Sequence, residues 1–260
     1  MTQIHQQRFV AEVVATGDTA NSVYAPGIVD IEDGRIHWVG PKEDAPDTYS
    51  TTEENDVGGL LMPGLVNTHC HTPMTLLRGV GDGLPLQRWL TEAIWPREGL
   101  MTSEDVWWGM TLGSAEMLQS GVTTSCEMYL FEEAVVDAAQ QTGARLVMTP
   151  VVISESNRNF KEHITDLTHL YERHHDPAGR TTVGVAAHSA YDLGIDPVAE
   201  LAGLARSLDT TLHLHLAETQ EESADLERKF GQSITRILYD NGVFDGRVLA
   251  AHSVWVDRSD

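Results

Sequence analysis

Residues 60–71, LLMPGLVNTHCH, decide the fold. An apolar β-type run passes a Pro-Gly turn, continues through Leu65-Val66-Asn67-Thr68 and ends on His69 and His71. Comparable runs recur at 121–128 (GVTTSCEM), 144–152 (ARLVMTPVV), 181–188 (TTVGVAAH), 210–218 (TTLHLHLAE) and 247–252 (RVLAAH). Between them lie segments of helical period, among them SEDVWWGMTLGSAEMLQ (103–119), FEEAVVDAAQQTG (131–143) and DPVAELAGLARSL (196–208). Apolar runs alternating with amphipathic segments are the signature of βα units on a parallel sheet, hence an α/β fold.

The polar chemistry sits at one end of these runs. His69 and His71, His188, Glu218 and His252 each fall at a C-terminal strand end. A (β/α)8 barrel gathers its active site at that end. A doubly wound open sheet would carry a phosphate-binding glycine fingerprint after its first strand, and none follows here. The reading is therefore a TIM-like (β/α)8 barrel over residues 58–260, incomplete at about six strands, with residues 1–57 as the N-terminal part of a small β domain. Six strands cannot close a barrel without exposing two edges. The chain is accordingly expected to be a piece of a longer protein, inactive by itself.

In the first segment, Ile28, Val29 and Ile31 precede an Asp33-Gly34 pair, and Ile36, Trp38 and Val39 follow it, which predicts a hairpin. Residues 41–56 (PKEDAPDTYSTTEEND) are polar and are expected to be a surface connection.

Composition narrows the function classes. Over 260 residues, 41% hydrophobic and 22% charged are ordinary globular values. The N-terminus lacks the basic and apolar regions of a signal peptide, and no apolar run reaches membrane-spanning length, so a cytoplasmic protein is expected. A net charge of -22 argues against nucleic acid or an anionic membrane as partner. Only Cys70 and Cys126 are present, too few for a disulfide framework. The expected partner is a small molecule, with homo-oligomerisation left open.

His69 and His71 flank one residue on an extended strand end, so their imidazoles face the same way and can share one divalent ion. His215 offers a third neutral imidazole, and Glu218 lies just past that strand, where a carboxylate can exchange protons with an activated water. His213 shares a face with His215 and is read as a packing or second-layer residue. His252 is placed to orient or polarise the water, and His188 to bond a substrate.

Taken together, PGLVNTHCHTPMTLLRG, HLHLAETQEE and LAAHSVWVD resemble the amidohydrolase superfamily. Within it they look most like the S-adenosylhomocysteine / 5'-methylthioadenosine deaminase group, which is similar to the triazine hydrolases. The resemblance implies that His69, His71 and His215 hold one divalent metal (Zn2+, with Fe2+ as the alternative). It further implies that Glu218 is the proton shuttle, that His252 activates the water or steadies the oxyanion, and that His188 contacts the purine. In that group a glutamate in a proline-containing stretch binds the ribose hydroxyls, and TEAIWPREGL puts Glu98 there. There are two departures. The group completes its metal shell with an eighth-strand aspartate, beyond Asp260, and the arginine that some members carry after the third strand is replaced near Met148-Thr149-Pro150, with Arg158 or Lys161 as substitutes.

The implied reaction is hydrolytic deamination of an adenosine-type ring. The alternatives are hydrolysis of another nitrogen heterocycle (triazine, guanine, pterin), or a truncated module that binds without turning over.

Overall fold

The computed structural model describes residues 6–48, 52–154, 159–258 and 260. The chain divides into two compact units, Met1–Gly64 and Leu65–Asp260.

The first unit is built of strands β1 (Gln6–Ala11), β2 (Val13–Ala15), β3 (Val23–Tyr24), β4 (Gly27–Glu32), β5 (Arg35–Pro41), β6 (Glu53–Asp56) and β7 (Leu60–Leu61). They form two sheets, ordered β5-β4-β1-β6 and β3-β2-β7. The Asp33-Gly34 hairpin is present: Glu32 pairs with Arg35, and Asp33 (φ 49°) and Gly34 (φ 77°) both adopt the left-handed conformation that a tight two-residue turn requires. The segment expected as a connection contains structure. Lys42–Asp44 make a 3-10 turn, and Glu53–Asp56 pair in parallel with β1. A strand this acidic escapes an apolar pattern search because its backbone ladder, not side-chain burial, holds it, and charge on an edge strand discourages further pairing. Between β1 and β4, Arg8 clamps the fully buried Asp30 through two hydrogen bonds of 2.7 Å and donates a third to Pro46 O at 2.8 Å.

The second unit alternates strands and helices. Its strands are β8 (Leu65–Cys70), β9 (Val122–Glu127), β10 (Arg145–Met148), β11 (Val151–Val152), β12 (Thr181–Val183), β13 (Val185–Ser189), β14 (Thr211–Leu216) and β15 (Arg247–His252). Short helices α1 (Leu86–Arg88) and α2 (Trp95–Glu98) follow β8, then α3 (Ser103–Gln119). Next come α4 (Glu132–Thr142), α5 (Phe160–His174), α6 (Ala190–Leu193), α7 (Ile195–Ser207), α8 (Gln220–Phe230) and α9 (Ile234–Asp240). Every strand pair in this unit is parallel.

The strands form two four-stranded sheets, β12-β10-β9-β8 and β11-β13-β14-β15, with no closed barrel among the described residues. Within this unit the six sequence runs give eight strands because two runs break. Pro150, which has no N–H to donate to a ladder, separates β10 from β11. Gly184 separates β12 from β13 and turns its N–H onto Met148 O at 2.8 Å. The first run also divides: Leu60–Leu61 pairs with β2, and the parallel sheet starts at Leu65.

The helices form for local reasons. Thr102 and Asp105 make a reciprocal capping box at the start of α3. Gly109 of α3 is there because a Cβ would meet Pro73 O at 2.3 Å, and the missing side chain lets the helix press on the segment that follows His71. Outward-facing Val185, Ala187, Leu212 and Leu214 pack beneath Val198 and Leu201 of α7 and Leu238 of α9. Full burial of one such side chain contributes about 1.5–3 kcal/mol. A second cluster packs Met110 of α3 and Val135 of α4 on Leu146 and Met148 of β10. No helix among the described residues is long and apolar enough to cross a membrane.

Candidate active site

Parallel strands bring their C-terminal ends to the same side, and the histidines follow. Along β14, Leu212, Leu214 and Leu216 alternate with His213 and His215, so both imidazoles leave one face of the strand. The ring of His69, from β8, lies 4.9 Å from that of His71, 4.9 Å from His215 and 5.1 Å from His252, centre to centre. His71 and His215 are 5.5 Å apart and His215 and His252 5.2 Å. One ligand atom each from His69, His215 and His252 fall within 4.8 Å of one another. The structure thus draws His252, expected near the water, into the tightest group, with the His71 ring at its side.

The hydrogen bonds prepare these rings for a metal. His71 Nδ1 lies 2.6 Å from Met128 O, and His215 Nδ1 lies 2.9 Å from His188 O. A carbonyl only accepts, so each Nδ1 carries the hydrogen and each Nε2 keeps a lone pair. Burial first, and neighbouring imidazoles next, depress the basicity of His69 to about 3 and lower that of His215. His71 is also lowered, chiefly by burial. Neutral imidazoles with free Nε2 lone pairs are the donor set that zinc takes, so these residues fit a divalent ion.

Seven of the residues singled out in the sequence line one cavity of about 630 Å³: His69, His71, His215, His252, His188, Glu98 and Glu218. Glu218 Oε1 is 3.6 Å from His252 Nε2. His188 Nδ1 stands 3.5 Å from Asp192 Oδ2, and burial lowers its pKa. Glu98 Oε1 accepts a 2.6 Å hydrogen bond from the Tyr129 hydroxyl, whose pKa is raised by burial and by Glu98. Leu86, Trp89, Leu90, Trp95 and Ile153 supply apolar wall. Lys161 does not line the cavity, and Arg158 lies outside the described residues.

Several residues escaped the sequence reading. Tyr129 and Asp192 line the cavity beside Glu98 and His188. Glu127, at the end of β9, is fully buried, accepts the Thr72 N–H at 2.8 Å and has its pKa pushed up to about 7 by burial. Its position at a strand end was the available signal, the same one that singled out His188.

A model of the amidohydrolase family matches residues 60–260. The chain belongs to the amidohydrolase family. Among its curated relatives, a protein named 5-methylthioadenosine/S-adenosylhomocysteine deaminase from Symbiobacterium thermophilum is 40% identical over 243 residues, which cover 92% of this chain and 55% of the relative. The chain therefore spans about half the length of the curated relatives it matches. A zinc-bound adenosine deaminase from Xanthomonas campestris is 32% identical with a TM-score of 0.89, covering 98% of this chain and 59% of that one. An atrazine chlorohydrolase from Arthrobacter aurescens, complexed with zinc, is 19% identical with a TM-score of 0.88 over 97% of this chain and 62% of its own. That last likeness bears on the fold alone. The parallel α/β arrangement of this amidohydrolase chain is the one those structures share.

Proposed function

We propose that this chain carries the catalytic residues of a metal-dependent hydrolase that deaminates adenosine-type compounds, on a (β/α)8 barrel of which the two parallel sheets are arcs. The observation that carries the reading is the convergence of His69, His215 and His252 within 4.8 Å, with His71 alongside and Glu218 3.6 Å from His252. In this reading His69, His71 and His215 are the metal ligands and the metal is zinc. The zinc-bound adenosine deaminase of similar structure supports that choice. When bound there, a divalent ion supplies Lewis acidity that brings deprotonation of water to about pH 7.

The remaining steps belong to the chain. Glu218 takes a proton from the attacking water, whose oxygen adds to C6 of the purine. His252, next to Glu218, bonds the oxygen and steadies the negative charge of the adduct. Glu218 then gives its proton to the amino nitrogen as the C6–N bond breaks and ammonia leaves, and the hydrogen remaining on the C6 oxygen passes to ring N1, so that the product is the 6-oxo purine. His188 holds the ring, and Glu98 accepts from the ribose hydroxyls, held in place by Tyr129. The apolar wall at Trp89, Leu90 and Trp95 lies against the rest of the nucleoside.

Ammonia release tests the reading. The full-length protein, with its zinc content measured, is offered 5'-methylthioadenosine, S-adenosylhomocysteine, adenosine, guanine and a triazine. Ammonia from the adenosine compounds is expected; release from guanine or the triazine alone would transfer the activity to another ring. Absence of stoichiometric zinc would leave a binding module.

A further inference from the structure

Thr149 and His213 are both wholly buried, behind His69 rather than in the cavity. Thr149 N donates to Glu127 O at 2.8 Å, and Thr149 Oγ1 lies 2.8 Å from the same carbonyl. On its other side Thr149 Oγ1 is 2.9 Å from His213 Nδ1. His213 Nε2 is in turn 2.9 Å from His69 Nδ1. Four groups thus form a line from a backbone carbonyl to a candidate metal ligand.

Only one arrangement of hydrogens satisfies the line. The Glu127 carbonyl has none to give, so the Thr149 hydroxyl hydrogen points to it; otherwise two oxygens would face each other at 2.8 Å with no hydrogen between them. Thr149 Oγ1 then accepts, and His213 Nδ1 must carry a hydrogen. A neutral His213 therefore has a lone pair on Nε2, which accepts from His69 Nδ1–H. With its hydrogen on Nδ1, His69 keeps the Nε2 lone pair free. His71 and His215 reach the same state through single carbonyls; His69 reaches it through a relay.

We propose that Thr149 and His213 are positioning residues that fix the tautomer of His69, so that its Nε2 offers a lone pair to the metal. The proposal rests on the reading of His69 as a ligand. Partners behind a metal-binding imidazole typically contribute about 10–100-fold in metal affinity by fixing its tautomer and orientation.

The test compares zinc affinity, by chelator competition, in the unmutated protein, Thr149→Val and Thr149→Ser, and reads the histidine tautomers of the metal-free protein by 15N NMR. Thr149→Val keeps the shape and removes the hydroxyl. It is expected to weaken zinc binding about 10–100-fold and to populate the Nε2–H form of His69, while Thr149→Ser restores both. Equal zinc affinity in Thr149→Val and the unmutated protein would overturn the proposal. If Thr149→Val does not fold, the unmutated protein decides: hydrogen on Nδ1 of both His69 and His213 supports the relay, and hydrogen on Nε2 of either overturns it. A protein that binds no zinc at all would defeat the ligand reading, and the tautomer measurement would still judge the relay on its own.

Discussion

Glu218 Oε1 and His252 Nε2 stand 3.6 Å apart although they leave different strands. β14 and β15 run parallel with Leu216 opposite His252, and both chains then turn through left-handed backbone: Ala217 at φ 47°, His252 at φ 70° and Ser253 at φ 49°. Non-glycine residues in that region cost roughly 1–3 kcal/mol each and persist only where the surroundings enforce them. Here Ser253 N–H bonds Leu216 O at 2.8 Å and Trp255 N–H bonds Ala217 O at 3.0 Å, so one strand exit ties down the other. Glu218 and His252 therefore meet at a site that the backbone holds under strain.

Glu218→Gln in the complete protein should keep its zinc and lose turnover. A proton shuttle typically contributes about 10²–10⁴ in rate. Steady-state ammonia release with metal analysis on the same sample checks this, and near-normal turnover would remove Glu218 from the mechanism.

Tyr129→Phe should act on binding. Its hydroxyl bonds Glu98 at 2.6 Å and, with a raised pKa, stays a donor at neutral pH. A hydrogen bond to a charged group contributes about 1.5–3 kcal/mol, roughly ten- to a hundredfold in an equilibrium constant. KM for an adenosine-type substrate is expected to rise by about that factor with kcat nearly kept. A fall in kcat alone would place Tyr129 elsewhere in the mechanism.

Much of this site was legible because the relevant periods are short. His69 and His71 share a face by strand alternation, and four strand ends bearing His or Glu point to one mouth whatever the loop paths. The residues that escaped depend on where loops return. Nothing in WPREG indicates that Glu98 meets Tyr129, and the relay through Thr149 needs β10 and β14 to be superposed in space. The acidic Glu53–Asp56 strand was hidden by its polarity. The two-sheet arrangement was hidden because Pro150 and Gly184 lie inside runs that read as continuous.

Leu201→Ala, on the helix side of β13 and β14, should lower stability without touching the site. Leu201 is completely buried among Val198, Leu212 and Leu238. Truncating such a leucine costs about 2–5 kcal/mol. Denaturant unfolding of metal-free protein measures the loss, and a change under 1 kcal/mol would contradict the packing described.

Glu127 gives a pH signature. Burial raises its pKa from 4.5 to about 7, so the folded state holds the proton more tightly than the unfolded state. Its contribution is fully favourable below about pH 4.5 and is lost as pH rises to about 7, by about 3 kcal/mol. Glu127→Gln cannot titrate. The stability of Glu127→Gln relative to the unmutated protein should therefore climb between pH 5 and 7.5 in thermal unfolding, and a flat difference would mean that Glu127 stays ionised when buried.

The central claim is that imidazoles from β8 and β14 share one ion, and anomalous diffraction at the zinc edge from zinc-loaded crystals tests it most directly. The account predicts a single peak about 2.0–2.1 Å from the Nε2 atoms of His69, His71 and His215, with the Glu218 carboxylate outside bonding distance of the metal. A peak bound by other residues, or none at this cluster, would contradict it.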